Sequence, residues 1–253
     1  MAVNHSKMKL GKQPAVHDPR TLQFAKYLRP TLLPPPPLQV NWAQKVASWP
    51  MMLNNTIGDC TVAAAGHCIE EWTTDTGHPV NVPDATILAV YSAVSGYNPV
   101  TGANDNGTTV LKVLNYWRQN GIGGHTIQAY VSVDPSDLDH VRDAVSIFGN
   151  SYIGLALPVS AQTQAVWSVP SGGATGPGAP GSWGGHAVPI VAYDPSGLTV
   201  VTWGALKLMT WGFFSAYCDE AFALLSSDFL TDNQTPAGID LASLMQDLKQ
   251  VTG

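Results

Sequence analysis

The chain has 253 residues, of which 45% are hydrophobic and 12% are charged, and its net charge is −6. The charged fraction is about half of the roughly 25% found in ordinary domains, which predicts an adhesive surface and self-assembly. No run of about 18 apolar residues occurs and the N-terminus has no apolar signal region, so we expect neither a membrane-spanning helix nor export. The three cysteines do not suggest a disulfide framework. These features predict a cytoplasmic protein without a membrane contact.

The first 37 residues form a basic, proline-rich arm. Residues 1–29 contain six of the twelve basic residues and a single acid, Asp18, so the rest of the chain is strongly acidic. Such an arm can dock on an acidic protein surface, remain solvated or bind nucleic acid. We favour docking, on this chain or on a neighbouring copy. The arm therefore predicts a homo-oligomer or a protein partner, and nucleic acid is not an expected partner.

Four consecutive prolines at 34–37 end the arm, because they enforce polyproline II geometry and remove amide donors. From residue 38 onward the apolar spacing predicts helices first and then mostly strands. The predicted helices cover residues 61–74, 83–95, 108–120, 135–149 and 239–251. The predicted strands cover residues 125–133, 151–159, 186–194, 198–205 and 221–227. Residues 171–185, with seven glycines, are expected to form a loop.

This order of elements predicts one α+β domain at 38–235. Its helical half would cover about 38–122 and its β-rich half about 123–235. A C-terminal amphipathic helix is expected at 236–253, where apolar residues recur at helical spacing.

Cys60 follows a Gly-Asp turn and stands at the start of the first predicted helix of the body. A helix N-terminus carries roughly half a positive charge, which favours the thiolate that a cysteine nucleophile needs. The thiol also needs an imidazole partner. His67 is about 10 Å away along the same helix, which is too far. The plain alternative is that Cys60 is a buried core thiol.

His186 is the best partner among the seven histidines, because it opens an apolar strand after the glycine-rich loop. The other histidines lie on the arm, in apparent loops or on helix surfaces. The alternative for His186 is a strand-edge ring hydrogen-bonded to backbone. Cys60, His67 and Cys68 lack the spacing of a tetrahedral zinc site, and no phosphate-binding loop is present. We predict neither a metal nor a cofactor.

Four segments resemble, in order and spacing, the motifs of papain-like cysteine peptidases across residues 37–225. The family's "Gln-Gly-x-Cys-Gly-x-Cys-Trp" is similar to "NNTIGDCT" at 54–61, and its "His-Ala-Val" to part of "GGHAVPIVAYD" at 184–194. Its "Asn-Ser-Trp-Gly" with a second "Trp-Gly" is similar to "VTWGALKLMTWG" at 201–212, and its mature-domain start to "PLQVNW" at 37–42. The resemblance implies a papain-like α+β fold whose helical and β-rich halves flank a cleft.

The resemblance also implies roles for individual residues in cleaving a peptide or protein substrate. Cys60 would be the nucleophile and His186 the base and acid, and Asn54 would stand in for the family's oxyanion-binding glutamine. Trp203 would shield His186. Gly58, Gly185 and Trp203 would line the substrate cleft.

Several residues depart from the family pattern. Val201 stands where the family has the asparagine that orients the imidazole, and Thr202 is the candidate substitute. Asn54 is one methylene shorter than glutamine, and Asp59 places a negative charge beside Cys60 that raises the thiol pKa. The arm is similar to a short leader, smaller than the family's folded inhibitory propeptide.

Two interpretations therefore remain open. The favoured one is a papain-like thiol hydrolase that cleaves peptide or related amide bonds through a Cys60 acyl-enzyme, with His186 as base and acid and a degraded third position at Val201. The other is a catalytically silent papain-fold protein with a structural, self-assembling or partner-binding role.

Overall fold

The fold is described from a computed structural model, over residues 4–29, 31–229 and 240–252. The helices are α1 (Cys60–Asp75), α2 (Asp84–Ser95), α3 (Val110–Asn120), α4 (Leu138–Phe148), α5 (Trp211–Tyr217) and α6 (Leu241–Thr252). The strands are β1 (Val40–Asn41), β2 (Ile127–Val133), β3 (Ser151–Leu157), β4 (Gly184–Asp194), β5 (Gly197–Thr202), β6 (Ala205–Thr210) and β7 (Cys218–Ser226). None of the helices in these ranges is long and apolar enough to cross a membrane. The expected boundary between 235 and 236 and the expected helix start at 239 lie outside the described residues.

A seven-stranded antiparallel sheet forms the centre of the fold. Its order is β2-β7-β3-β4-β5-β6, and the short β1 pairs with β4. Strand β4 lies in the middle, paired with β3 from Leu157↔Gly184 to Ser151↔Ile190 and with β5 on its other side. It is buried from His186 to Tyr193, as its unbroken apolar run requires. Strand β4 is therefore a buried central strand with partners on both sides.

Helix α1 is the central helix of the first half and packs on β4. Fourteen of its sixteen residues are buried, which suits its alanine-rich sequence. Gly66 lets α1 approach the loop before it, because a Cβ there would lie 2.5 Å from Met52 Sδ. The middle of α1 is thereby packed against this loop.

Two hydrophobic cores meet at β4. Ala187 packs with Cys60 and the residues of α1 to α3, whereas Val188 and Ile190 pack in a second core with α4 and α5. This alternation follows from the two-residue period of a strand. Helices α1 to α3 all precede residue 121, and every strand except β1 follows residue 126. The N-terminal end of β4 lies where the two halves meet.

Most predicted helices and strands are present with ends shifted by one to three residues. Strand β6 and helix α5 had no counterpart in the prediction. In β6 the apolar pattern is inverted: Leu206 and Leu208 are 48% and 54% exposed, while Lys207 is 5% exposed. The Lys207 ammonium donates to the Gln164 carbonyl and lies over the Trp167 ring, which accounts for its burial.

The arm lies on the body of its own chain. Tyr27 is buried in the second core, and its hydroxyl donates to Asp247 of α6 at 2.9 Å. Lys26 forms an ion pair with the same carboxylate at 2.7 Å, and Arg29 pairs with Asp240 at 2.7 Å. The docking expected from the charge distribution is thus made within one chain, while the oligomeric state remains a prediction.

Candidate active site

Cys60 is the first residue of α1 and is only 1% exposed. Burial raises the pKa of its thiol to about 11, and two backbone hydrogen bonds, from Ala187 and Gly11, oppose this rise. The backbones of both residues therefore lie close to the sulfur. The sulfur therefore lies against β4 on one side and against the arm on the other.

His186 is the third residue of β4 and is 1% exposed. Its Nε2 lies 2.7 Å from Thr202 Oγ1, and its ring stacks on Trp203 with centroids 4.6 Å apart. Burial, together with the charges of nearby His5 and His67, lowers the pKa of His186 to about 3. Its Nδ1 has no hydrogen-bond partner among the described residues, so the Cys60 thiol is not bonded to the ring in this arrangement.

Ala187, the residue after His186, packs with Cys60 in the first core, so the starts of α1 and β4 are neighbours, while the His186 ring packs on Trp203 of the second core. His67 does not take part: its Nε2 lies 2.9 Å from the Pro50 carbonyl. Burial lowers the pKa of His67 to about 4, so it is a neutral core ring.

The residue that meets the imidazole is Thr202. Val201 is 1% exposed and packs in a small separate core with Ala43, Val191 and Trp49. Consecutive residues of a strand point to opposite faces, so only one of this pair can reach the ring. The expected loss of polar support at Val201 is therefore met by a hydroxyl one residue later.

Asn54 lies beside Cys60 but is engaged elsewhere. It is 2% exposed, and its Nδ2 donates to Asp59 Oδ1 at 3.1 Å. Asp59 is fully buried, and burial raises its pKa to about 8, with the Asn54 hydrogen bond opposing the rise. The charge of Asp59 in turn raises the pKa of the Cys60 thiol, in the direction that the sequence indicated.

Residues 5–13 of the arm, which we call the cleft segment, lie between the start of α1 and the start of β4, where the sequence predicts the cleft. Gly11 packs so tightly that a Cβ there would lie 1.7 Å from the Gly58 carbonyl oxygen. A Cβ on Gly107 would in turn lie 1.7 Å from the Gly11 carbonyl oxygen. Only glycine allows this three-way backbone contact. The expected cleft residue Gly58 therefore contacts the arm.

Backbone hydrogen bonds hold the segment on both walls of the cleft. The Lys12 N–H donates to the Gly185 carbonyl at 3.1 Å. The Thr108 N–H donates to the Gly11 carbonyl at 2.9 Å, and the Gln13 N–H donates to the Thr108 carbonyl at 3.0 Å. The segment thus pairs like a strand with both the helical and the β-rich half.

The earlier residues of the segment cover the His186 side of the cleft. Trp203 Nε1 donates to the Lys9 carbonyl at 3.3 Å, and the His5 ring lies on Trp203 with centroids 4.8 Å apart. Leu10 contacts Gly184 at the start of β4. The chain therefore runs from the His186 side past Cys60 towards Thr108.

Some residues in or near the cleft belong neither to the Cys60 motif nor to the His186 motif, and the sequence did not predict them. They are His5, Gly11, Lys12, Thr108, Asp219 and Glu220. Their signals were weak: Lys12 was one of several basic residues of the arm, and Asp219 and Glu220 were two acids before a predicted strand. Contacts between positions 207 residues apart leave no mark in local spacing.

Solved cysteine proteases share this fold. Xylellain, a cysteine protease from Xylella fastidiosa, has a TM-score of 0.65 and 15% identity, and the match covers 87% of this chain and 96% of xylellain. ProCathepsin B S9 from Trypanosoma congolense has a TM-score of 0.60 at 11% identity, with 88% of each chain covered. Procathepsin L 3 of Tenebrio molitor has a TM-score of 0.56 at 12% identity, with 87% of this chain and 77% of the other covered.

These likenesses show the fold: the chain is a divergent α+β protein of papain-like architecture, as the motif resemblance implied. No sequence profile of a known family matches the chain, and no curated protein matches it by sequence.

Proposed function

We propose that the protein is a papain-like thiol hydrolase that cleaves peptide or related amide bonds through a Cys60 acyl-enzyme and that its cleft segment holds it inactive. The observation that carries the proposal is the joint placement of the Cys60 sulfur at a helix N-terminus and of the His186 ring at the start of the adjoining strand. The shared fold with solved cysteine proteases supports it.

The proposed acyl transfer assigns one role to each of these residues. If Nε2–H of His186 donates to Thr202, the lone pair on Nδ1 is free to accept the thiol proton. The thiolate then attacks the substrate carbonyl, and the oxyanion can be held by the Cys60 N–H and the Asn54 amide. His186 returns the proton to the leaving amine, and water releases the acyl group by the same route.

The covered arrangement explains why the site is at rest. With the segment in place, burial raises the thiol pKa and lowers the imidazole pKa, so both groups are neutral and the reactive ion pair does not form. Removing the segment would admit water and a substrate together.

The segment also escapes cleavage by its direction. The leaving amine of a substrate must lie on the His186 side, since His186 protonates it, so the substrate runs from the Thr108 side to the His186 side. The segment runs the opposite way. In addition, the Gly11 carbonyl accepts a hydrogen bond from the Thr108 N–H at 2.9 Å. This hydrogen bond holds the Gly11 carbonyl towards Thr108.

A catalytically silent role is the second candidate, and the lack of a bond between the thiol and Nδ1 of His186 favours it. In that case the cleft would be a docking site for the arm, and the function would lie in assembly or in binding a partner. The homo-oligomer suggested by the adhesive surface remains a proposal for either function.

The test opens the cleft in the full chain. Gly11→Val adds a side chain where a Cβ already meets the Gly58 carbonyl, so the segment must leave. Gly172→Val is the matched control, because a Cβ at Gly172 meets nothing within 4 Å. Hydrolysis of a fluorogenic peptide library and iodoacetamide labelling of Cys60 are compared between the two variants.

We expect Gly11→Val to hydrolyse peptides faster than Gly172→Val and the parent chain, and Cys60→Ala or His186→Ala in the same background to abolish hydrolysis. Rapid labelling of Cys60 without any hydrolysis would refute the hydrolase and support the silent role. Unchanged labelling in Gly11→Val would refute the covering role of the segment.

A further inference from the structure

Asp59 is the residue that precedes α1, and its side chain does not cap the helix. It is fully buried, and its carboxyl accepts no hydrogen bond from the N–H groups of the first turn. An aspartate at this position normally accepts from those N–H groups. Only the Asp59 carbonyl does so, from the N–H groups of Val62 and Ala63 at 2.7 and 3.0 Å. The carboxyl is therefore directed to another partner.

That partner is Asn54, whose Nδ2 donates to Asp59 Oδ1 at 3.1 Å. Both residues are buried. The other carboxyl oxygen of Asp59, Oδ2, has no hydrogen-bond partner among the residues that the structure describes. A buried carboxyl oxygen without a partner lowers stability, and here no helix cap offsets that loss. Stability of the fold alone does not account for an acid at this position.

The turn before Asn54 is strained. Met52 and Leu53 have φ angles of 52° and 65°, in the left-handed region that bulky side chains avoid. Such residues persist only where the surrounding structure holds them. The Asn54 N–H donates to the Met51 carbonyl at 3.1 Å, and the Thr56 N–H donates to the Leu53 carbonyl at 2.8 Å. The backbone of Asn54 is thus held in one place.

The hydrogen bond to Asp59 fixes the orientation of the Asn54 amide. The terminal torsion of an asparagine has a broad range, so an amide without a partner would rotate. An amide nitrogen carries two N–H groups, and Asp59 Oδ1 needs only one of them. The second N–H remains for another acceptor, and Cys60, where the oxyanion of the proposed reaction forms, directly follows Asp59. One bond thus orients the amide while the other donor stays available.

We propose that Asp59 is a positioning residue for hydrolysis, which holds the Asn54 amide so that its second N–H donates to the oxyanion formed at Cys60. This inference rests on the proposed hydrolase function. It assigns a role to the buried acid beside the nucleophile. It also gives a reason why an amide one methylene shorter than glutamine can serve the reaction.

The charge of Asp59 acts against the reaction that its hydrogen bond supports. Burial, together with the charges of Asp105 and Asp84, raises the pKa of Asp59 to about 8, against the hydrogen bond from Asn54. Above that pH the carboxylate raises the pKa of the Cys60 thiol and repels an oxyanion formed next to it. The neutral acid, which still accepts through Oδ1, is therefore the favourable form.

The first test is a double-mutant cycle in the full chain carrying Gly11→Val. Asp59→Ala should lower kcat for a peptide substrate by about 10- to 100-fold, because loss of orientation costs less than loss of the donor itself. In the Asn54→Ala background the same change should alter kcat by less than about twofold, since the amide that Asp59 positions is already gone. Asp84→Asn removes an exposed acid at the start of α2 and is the control, which should keep the kcat of the Gly11→Val chain.

A conservative variant keeps the test decisive if Asp59→Ala does not fold. Asp59→Asn keeps the volume and an acceptor oxygen but cannot ionise. It should retain most of kcat at a pH of about 6.5. Between about pH 7 and pH 9, kcat of the Gly11→Val chain should fall several-fold more than kcat of Asp59→Asn. Equal pH profiles for the two chains would overturn the placement of Asp59 beside the oxyanion.

A measurement without hydrolysis separates this proposal from the hydrolase. In the Gly11→Val chain with isotope-labelled aspartate, NMR gives the titration midpoint of the Asp59 carboxyl, and Asn54→Ala should raise it by removing a donor. A raised midpoint in a chain that hydrolyses no peptide would sustain the pairing and overturn the hydrolase. Hydrolysis that is unchanged in Asp59→Ala, or that Asp59→Ala lowers equally with and without Asn54→Ala, would overturn the positioning role alone.

Discussion

Replacing Lys12 with methionine in the otherwise unchanged chain is expected to loosen the cleft segment and expose Cys60. Methionine keeps most of the stem volume but removes the charge that Asp219 and Glu220 surround. Removing one partner of a fully buried ion pair typically costs about 3–5 kcal/mol, because the other charge is left uncompensated. Here the cost lowers the free energy of docking of the segment on the body, because Lys12 belongs to the segment and both acids belong to the body.

The cost at this site is smaller than for a fully buried pair. A third of the Asp219 side chain is exposed, so water screens it, and Glu220 can take up a proton because burial raises its pKa. We therefore expect about 1–3 kcal/mol, which corresponds to a rise of about 5- to 150-fold in the population with an uncovered cleft.

The assay is the second-order rate of iodoacetamide alkylation at Cys60, followed by peptide mapping to separate it from Cys68 and Cys218. Lys9→Met is the matched control, because it removes a basic side chain from the same segment at an exposed position. Equal alkylation rates in Lys12→Met and Lys9→Met would refute the argument that the buried ion pair holds the segment in the cleft.

Three further predictions concern the catalytic groups and the segment. In the Gly11→Val chain, Thr202→Val should lower kcat by about 10- to 100-fold with little change in peptide affinity, whereas Thr202→Ser should keep most of the kcat. An unchanged kcat in Thr202→Val would exclude Thr202 as the group that positions His186. In the same chain, Asn54→Ala should lower kcat by about 10²- to 10³-fold if the Asn54 amide holds the oxyanion. Hydrolysis at the rate of the Gly11→Val chain would mean that Asn54 only donates a hydrogen bond to Asp59. Lowering the pH from 6.5 should uncover the cleft. Burial holds the pKa of His186 at about 3 in the covered form, whereas an open form would have an ordinary imidazole, so the covered form binds fewer protons. The covered form therefore loses stability relative to the open form as the pH falls. Hydrogen exchange of residues 11–13, corrected for intrinsic rates, should then rise by up to about tenfold per pH unit, and constant protection between pH 7 and pH 5 would contradict this linkage.

The elements of the body were predictable because their apolar residues follow simple periods. The alanine-rich α1 and the unbroken apolar β4 are recognisable from their sequence alone, and both hold the candidate catalytic residues. Strand β6 was not predictable in this way, since Lys207 is buried and Leu206 and Leu208 face outward. Its burial pattern is decided by a tertiary contact, the Gln164 carbonyl that accepts from the Lys207 ammonium.

The candidate site was only partly accessible from the sequence. Cys60 and His186 could be proposed because each stands at the start of an element, where a side chain can face a cleft. The choice between Val201 and Thr202 required knowledge of which face of β5 meets the ring, and a one-residue offset reverses it. The charge of the arm indicated docking on an acidic surface, but not that Lys12 would meet acids next to the cleft.

Because the cleft segment belongs to the same chain and is not cleaved, it covers the cleft as an intramolecular inhibitor. Because the segment is joined to the body through residues 14–37, its local concentration at the cleft is set by the tether and stays the same when the protein is diluted. Opening is therefore a first-order event, and closing needs no second molecule. A free peptide that competes for the cleft must be present at about millimolar concentration. Each copy of the chain has its own cleft segment, which can rebind in the cleft after every opening.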